Sequence, residues 1–214
     1  MRTPPPEVAR SNFTALLDRA RQRAASPTRQ ILGLTGAPGS GKSRLADEIV
    51  DAIGADAVLV PMDGYHLADA ELQRLGINDR KGAPDTFDVG GFVALLRRLR
   101  EHTEPVVYAP TFRRDLEEPV AGAICVPSNV PLVVTEGNYL LSPDGGWAAV
   151  RGLLDEVWYL EPDDHDRVDR LIRRHMDFGR DFDTAAGRAQ GSDQRNAELI
   201  AATRLWADLI VVGS

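Results

Sequence analysis

The chain has 214 residues, of which 43% are hydrophobic and 27% are charged, and its formal net charge is −7. A chain of this length can bury roughly 70% of the surface that it exposes when unfolded, so we expect one large globular domain rather than a disordered chain. The acidic balance, without any basic cluster, argues against long nucleic acid as a partner.

Cysteine content and local composition set further limits. The single cysteine, Cys125, excludes an intramolecular disulfide, and its apolar neighbours predict a small buried residue. The first thirty residues carry interleaved charges and lack the apolar core of a signal peptide. The least charged stretch, residues 119–135, contains three prolines and cannot form a membrane-spanning helix. We therefore expect a cytoplasmic protein with no membrane partner.

Apolar periodicity and turn residues predict strands that alternate with helices along most of the chain. The first half of the chain begins with a helix at 7–24 within an N-terminal segment 1–28, followed by a strand at 31–34, a helix at 44–53, a strand at 57–60, a short helix at 67–75, a loop at 76–88 and a helix at 90–102. Antiparallel strands at 106–108 and 122–126 come next, and then strands at 131–135 and 156–160. The chain continues with a helix at 163–177, a mobile stretch at 179–191, a helix at 193–205 and a strand at 209–212. This order predicts an α/β fold with a mostly parallel, helix-covered sheet.

The turn after the first strand, residues 36–43, is a full match to the pattern G-x-x-x-x-G-K-[ST]. Its glycines let successive backbone N–H groups point at one place, where the next helix adds partial positive charge, so the turn predicts a polyphosphate site. Lys42 would reach the β- and γ-phosphates, and the Ser43 hydroxyl would be a Mg²⁺ ligand. A flexible linker is the alternative, which the flanking strand and helix disfavour. The predicted nucleotide-binding residues are Gly36, Ala37, Pro38, Gly39, Ser40, Gly41, Lys42, Ser43 and Arg44.

Two acids follow predicted strands. Asp63 comes after the strand at 57–60, and Glu136 after the strand at 131–135. In parallel α/β sheets ligands bind beyond the carboxyl ends of the strands, so both acids are expected near the phosphate loop. Lysine occurs only at positions 42 and 81, which excludes the Asn-Lys-x-Asp motif of GTPase switches. In ATPases that do mechanical work, the second acidic strand usually ends in Asp or Asp-Glu, whereas here it ends in Glu136 followed by Gly137. Transfer of a phosphoryl group to a small acceptor is therefore the remaining interpretation.

Four ordered segments, at residues 36–43, 62–66, 80–88 and 136–139, resemble the phosphoribulokinase/uridine kinase family. The chain is also similar to bacterial pantothenate kinases. The resemblance is strongest to a small bacterial branch labelled nucleoside/nucleotide kinase-like or fructose transport system kinase, from about residue 30 to 209. It implies a single P-loop NTPase domain over residues 1–214, with three α/β/α layers, an acceptor-side insertion at 76–128 and an arginine-bearing lid at 170–191.

The resemblance also implies roles for individual residues. Asp63 would be the base that takes the proton of the acceptor hydroxyl, with Lys42 and Arg174 as the other catalytic residues. Ser43 and Glu136 would hold Mg²⁺. Alternatives remain for each role. Asp63 could belong to an Asp-Gly turn with a capping carboxylate, and Glu136 could be structural or could itself be the base. Arg170 or Arg173 could contact phosphate in place of Arg174, or the arginines could form a solvated face. The implied acceptor-binding residues are Asp63, Tyr65, His66, Arg80, Lys81, Asp88, Arg113, Glu136 and Tyr139.

These features together predict an ATP- and Mg²⁺-dependent kinase that phosphorylates a hydroxyl of a small metabolite, such as a sugar, a nucleoside or a pantothenate-like alcohol. One alternative is a nucleotide kinase, in which Arg80, Lys81 and Arg113 would converge on a phosphorylated acceptor. Another is a regulatory protein that binds ATP without catalysis. The oligomeric state is not specified by the sequence, and a homodimer is kept open.

Overall fold

The computed structural model describes residues 3–177, 179 and 181–213, which form two sheets and their covering helices. The strands are β1 (Glu7–Ala9), β2 (Gln30–Gly36), β3 (Ala57–Leu59), β4 (Val106–Arg113), β5 (Glu118–Pro127), β6 (Leu132–Glu136), β7 (Glu156–Glu161) and β8 (Leu209–Val212). The helices are α1 (Phe13–Ala24), α2 (Lys42–Ile53), α3 (Asp69–Leu75), α4 (Val89–Glu101), α5 (Asp164–Asp177), α6 (Phe182–Gln190) and α7 (Ser192–Ala201).

The main sheet is parallel throughout and runs in the order β1-β8-β7-β2-β6-β3. Because successive side chains of a strand point to opposite faces, β2 contributes to both hydrophobic cores. Ile31 packs in the core that includes Phe92 of α4, and Leu32 packs in the core that includes Leu45 of α2. The strand that leads into the phosphate loop is therefore central and covered on both sides, as the sequence predicted.

Residues 76–128, the predicted acceptor-side insertion, contain the separate antiparallel hairpin of β4 and β5, which confirms the predicted pairing and lengthens both strands. The register of this hairpin shifts between Ala109 and Thr111, where Pro110 of β4 lies opposite three residues of β5, at 121–123, so the extra residues of the irregularity belong to β5. The prediction that Cys125 is buried is wrong. Cys125 lies opposite Tyr108 in the hairpin, and both side chains are exposed.

Two other predictions need correction. The N-terminal helix begins at Phe13, because Glu7–Ala9 forms the edge strand β1, which pairs with β8. The supposedly mobile stretch at 179–191 contains helix α6, whose first turn is capped by the Asp181 carboxylate accepting from the Thr184 backbone N–H. Residues 178 and 180 of the predicted lid lie outside the described residues. Within the part of the chain that is described, no helix is long and apolar enough to cross a membrane.

A buried carboxylate fastens α1 to the sheet. Glu156 at the start of β7 is 1% exposed and accepts hydrogen bonds from Arg19, Arg23 and the Trp158 indole N–H. Burial alone would raise the pKa of Glu156, but the hydrogen bonds from Arg19 and Trp158 and the charges of both arginines lower it overall. The native state therefore favours the ionised form.

We expect Glu156→Ala to lower the free energy of unfolding by about 3 kcal/mol, because it leaves a buried indole N–H and two arginines without their acceptor. Urea denaturation monitored by circular dichroism measures this. Since the folded pKa of Glu156 is lowered, its contribution is present above the unfolded pKa and is lost as the pH falls through the folded pKa. Glu71→Ala, which removes an exposed ion pair with Arg74, is the control and should leave stability nearly unchanged. Equal losses in the two variants would contradict this account.

Candidate active site

The phosphate loop joins β2 to α2 and lies against the backbone of α5. Gly39 has a φ of +79°, and a Cβ atom there would lie 2.8 Å from both the Arg167 carbonyl oxygen and the Leu171 Cγ. Gly36 has a φ of +150°, and a Cβ atom there would lie 2.6 Å from the Leu160 carbonyl oxygen. Glycine at these positions therefore permits both the turn and its close contact with β7 and α5.

Lys42, the first residue of α2, lies along the inside of the loop. Its side chain is buried, and its Nζ donates hydrogen bonds to the carbonyl oxygens of Gly36 and Ala37, each at 2.9 Å. Burial lowers the pKa of the Lys42 ammonium, while the charges of Glu136 and Asp63 act in the opposite direction. The Lys42 ammonium thus lies between the backbone carbonyls of the loop and the carboxylates of Glu136 and Asp63.

Ser43 and Glu136 meet beside the loop. Strands β2 and β6 are in register so that Leu34 pairs with Glu136, and the Ser43 hydroxyl donates to Glu136 Oε1 at 3.0 Å. Burial raises the pKa of Glu136, Asp63 adds to this rise, and Lys42 opposes it. A hydroxyl and a carboxylate at this spacing are hard oxygen ligands of the kind that Mg²⁺ takes alongside phosphates and waters.

Asp63 lies across the same cavity, which has a volume of about 350 Å³ and is also lined by Lys42, Ser43 and Glu136. It follows β3 in the short turn Met62–Tyr65. Arg114 Nη2 is 3.6 Å from Asp63 Oδ2, and His66 Nε2 is 3.9 Å from Asp63 Oδ1. The Asp63 carboxylate therefore lines the cavity together with Arg114 and His66.

His66 is held between aromatic rings. Its ring stacks on Phe87 with centroids 4.0 Å apart, and Phe112 lies at 5.0 Å. Burial lowers the pKa of His66 to about 4, with Asp63 acting in the opposite direction. Its Nδ1 is buried and has no hydrogen-bond partner among the described residues. The imidazole is therefore neutral near pH 7, and it forms part of the wall beside Asp63.

The predicted lid contributes Arg174 to the cavity. Burial lowers the pKa of Arg174, and the neighbouring charge of Arg114 lowers it further. The residue after it, His175, is hydrogen-bonded to Asp193 at 2.8 Å, which joins the end of α5 to the start of α7. Arg188 also lines the cavity. Positive charge from α5 and α6 thus faces the loop.

The other arginines of α5 have different environments. Arg167 is buried behind the loop, where it donates to the Pro38 carbonyl at 3.4 Å and to the Gln194 side chain at 2.7 Å. Arg170 donates to the Asp166 carbonyl at 3.2 Å, and Arg173 is exposed. Arg167 therefore connects the phosphate loop to α7, a role that the sequence did not indicate.

Several sequence-predicted residues lie away from the cavity. Tyr65 packs on Phe92, and the Tyr139 hydroxyl donates to the Gly82 carbonyl at 2.6 Å. The remaining ones are engaged elsewhere: Arg44 pairs with Glu48, Arg80 with Asp85, and Arg113 with Asp115, while Asp88 caps α4 by accepting from the Gly91 N–H. Lys81 does line the cavity, where its Nζ donates to Asp69 Oδ1 and the Glu117 carbonyl, each at 2.6 Å.

The sequence reasoning chose Arg113 where the structure brings Arg114 to the cavity. Simple alternation from the buried Val107 and Ala109 points Arg113 inward. The register of the hairpin shifts after Ala109, and beyond this point Phe112 and Arg114 are the residues that line the cavity. Other lining residues that the sequence reasoning did not select are Asp69, Asn78, Phe87, Glu117, Asn138, His175, Arg188, Ser192, Asp193 and Asn196.

Comparisons with known proteins agree with this geometry, although no family model matches the chain. The Schizosaccharomyces pombe protein named Putative uridine kinase C227.14 is 30% identical over 212 residues, which cover 94% of this chain and 90% of that protein. The ATP-dependent kinase-like protein notR' of Aspergillus versicolor is 35% identical over 162 residues, 72% of this chain and 94% of that protein.

A solved structure extends the likeness to three dimensions. The crystal structure of a putative fructose transport system kinase from Silicibacter sp. TM1040 matches with a TM-score of 0.84 and 40% identity, covering 93% of this chain and 98% of that one. This confirms the three-layer α/β/α P-loop fold and the resemblance on which the expected roles depend. The chain belongs to the phosphoribulokinase/uridine kinase family of P-loop kinases, ATP-dependent phosphotransferases whose acceptor is an alcohol group.

Proposed function

We propose that this kinase transfers the γ-phosphoryl group of ATP to a hydroxyl of a small, uncharged metabolite, with Asp63 as the base. The observation that supports this most directly is that Asp63, Glu136, Lys42 and Arg174 line one cavity at the phosphate loop. Phosphoryl transfer depends mainly on positioning and on stabilising charge, and this set supplies both.

The nucleotide end of the cavity fits a Mg²⁺-bound triphosphate. The loop N–H groups and the start of α2 would surround the phosphates, and Lys42 would exchange its loop carbonyls for phosphate oxygens. Ser43 and Glu136 would hold Mg²⁺, which would supply positive charge to offset the negative charge of the phosphates. A bound Mg²⁺ would favour the ionised form of Glu136, whose pKa burial raises.

Asp63 is suited to accept the proton. Its side chain is 31% exposed and lines the cavity across from Lys42, so an acceptor hydroxyl bound beside it would face the γ-phosphate. Glu136 is the less suitable base because its carboxylate already accepts from Ser43 in the position that suits a metal ligand. We assign the base role to Asp63 and the metal role to Glu136.

The acceptor end of the cavity favours an uncharged alcohol over a phosphorylated one. Arg80 and Arg113 are paired with neighbouring acids outside the cavity, and Lys81 is paired with Asp69. The three basic residues do not converge on an anion site. Carboxylates and the Asn78 amide, which also line the cavity, are partners that hydroxyl groups need. The relatives named for uridine and fructose are consistent with this class.

The proposal is tested by measuring ADP release with a panel of sugars and nucleosides, each with its phosphorylated counterpart, and with pantothenate as an alcohol that carries a carboxylate. We expect an uncharged alcohol to stimulate ADP release well above the rate with water alone. Stimulation by the phosphorylated compounds only would support the nucleotide kinase alternative. Tight ATP binding without stimulation by any compound would support a regulatory protein.

Removing the proposed base gives a second test. Asp63→Asn should lower turnover by about 10²- to 10⁴-fold, because the amide cannot take the hydroxyl proton, while ATP affinity stays within about twofold. Coupled ADP detection and calorimetry measure the two quantities. Asp88→Asn is the matched control, since an asparagine still caps α4 outside the cavity. Near-normal turnover in Asp63→Asn would refute the assignment.

The close contact between the loop and α5 predicts that Gly39→Ala weakens ATP binding by about tenfold or more. The added Cβ meets α5, and its positive φ costs about 1–2 kcal/mol in the loop. Calorimetry measures the affinity. Gly54→Ala is the control, because Gly54 also has a positive φ of +77° but nothing lies within 4 Å of its Cβ position. It should lower thermal stability without changing ATP affinity, and an equal effect on affinity would contradict the role of the contact.

A further inference from the structure

The turn of the β4–β5 hairpin directs one arginine at the reaction centre. Pro110 of β4, where the register of the hairpin shifts, packs its carbonyl against Gly64, where the absence of a Cβ allows the contact. Since Gly64 follows Asp63, this contact fixes the hairpin relative to the proposed base. The Arg114 guanidinium consequently lies 3.6 Å from the Asp63 carboxylate, inside the cavity.

Arg114 and Arg174 approach the acids from different parts of the chain. Arg174 belongs to α5, on the side of the phosphate loop, and Arg114 belongs to the turn of the β4–β5 hairpin. The two arginine charges affect one another, because the charge of Arg114 helps to lower the pKa of Arg174. Both also lie near the Glu136 carboxylate, where the charge of Arg114 opposes the rise in the pKa of Glu136. The two guanidiniums thus share one region with Asp63 and Glu136.

The balance of charge in that region changes when a nucleotide binds. Without it, Asp63, Glu136 and Asp193 offset the charges of the two arginines and Lys42. A γ-phosphoryl group that enters between Lys42 and Asp63 brings negative charge to the region that both guanidiniums border. A guanidinium presents several N–H donors in a plane that matches the equatorial oxygens of a phosphoryl group.

We propose that Arg114 is a second catalytic arginine, which contacts the transferring phosphoryl group from the acceptor side while Arg174 contacts it from the side of α5. This rests on the proposed kinase function. In the reaction the acceptor oxygen forms a bond to the γ-phosphorus and gives its proton to Asp63, the bond to the bridging oxygen breaks, and ADP leaves with that electron pair. Arg114 stabilises the charge on the three equatorial oxygens as the group moves.

A different role for Arg114 would be to hold Asp63 in place through their ion pair, without touching phosphate. The two roles differ in one respect. A residue that acts only through the Asp63 carboxylate loses its effect once that carboxylate is replaced, whereas a residue that contacts the phosphoryl group keeps its effect. The ion pair itself, with a separation of 3.6 Å, is compatible with both roles.

The test uses ADP, Mg²⁺ and aluminium fluoride, which together imitate the phosphoryl group in flight and need no acceptor. Calorimetry gives the ADP affinity with and without fluoride for the wild type, Arg114→Met, Arg114→Lys and Arg113→Met. We expect aluminium fluoride to tighten ADP binding by about tenfold or more in the wild type. Transition-state analogues bind tighter than substrates by about 10²-fold or more. Arg114→Met should lose most of this gain and keep its affinity for ADP alone within about twofold.

Arg113→Met is the matched control, because Arg113 is the adjacent arginine of the same hairpin and pairs with Asp115 outside the cavity. It should keep the full gain, and Arg114→Lys should keep part of it. The Asp63→Asn background separates the two roles: adding Arg114→Met there should still remove the fluoride gain. Thermal unfolding of each variant identifies any that fail to fold, and Arg114→Lys then carries the test.

Three results would overturn the inference. The first is a full gain in Arg114→Met, and the second is a wild type that binds ADP but gains nothing from fluoride. The third is a gain that Arg114→Met removes only when Asp63 is intact, which would make Arg114 a positioning residue. A wild type that binds no ADP at all would instead overturn the proposed function on which the inference rests.

Discussion

The hydrogen bond between Ser43 and Glu136 joins the helix that follows the phosphate loop to a strand distant in sequence. It exists because β2 and β6 are parallel neighbours in register, so that the end of one strand lies beside the turn that follows the other. The same geometry brings Asp63, which follows β3 on the far side of β6, to this edge. Every proposed catalytic role depends on this shared edge of the sheet.

Around that edge the chain encloses the cavity with elements that do not belong to the sheet. Helix α5 lies against the loop at Gly39, and Arg167 links the loop to α7. On the opposite side the β4–β5 hairpin packs on the turn that carries Asp63. The proposed nucleotide end and the proposed acceptor end therefore have separate supports, so the proposed acceptor preference would depend on the hairpin while the phosphate loop is held by α5 and α7.

The sequence predicted the parts of the site that local patterns encode. The glycine turn, its flanking strand and helix, and the acids after two strands each require only neighbouring residues to be recognised. The edge strand β1 was read as helix, because three residues carry little periodic signal and their partner β8 lies at the other end of the chain. Alternation along β4 does not identify Arg114, because the register of the hairpin shifts after Ala109, beside the contact between Pro110 and the distant Gly64.

The central claim is that one nucleotide phosphate meets both acids at the phosphate loop, and a crystal structure with Mg²⁺ and a non-hydrolysable ATP analogue tests it most directly. The account predicts the terminal phosphate beside Lys42, the metal next to Ser43 and Glu136, and the Asp63 carboxylate facing the γ-phosphorus with room for a hydroxyl between them. A triphosphate bound with its terminal phosphate turned away from Asp63, or a metal held by neither Ser43 nor Glu136, would contradict it.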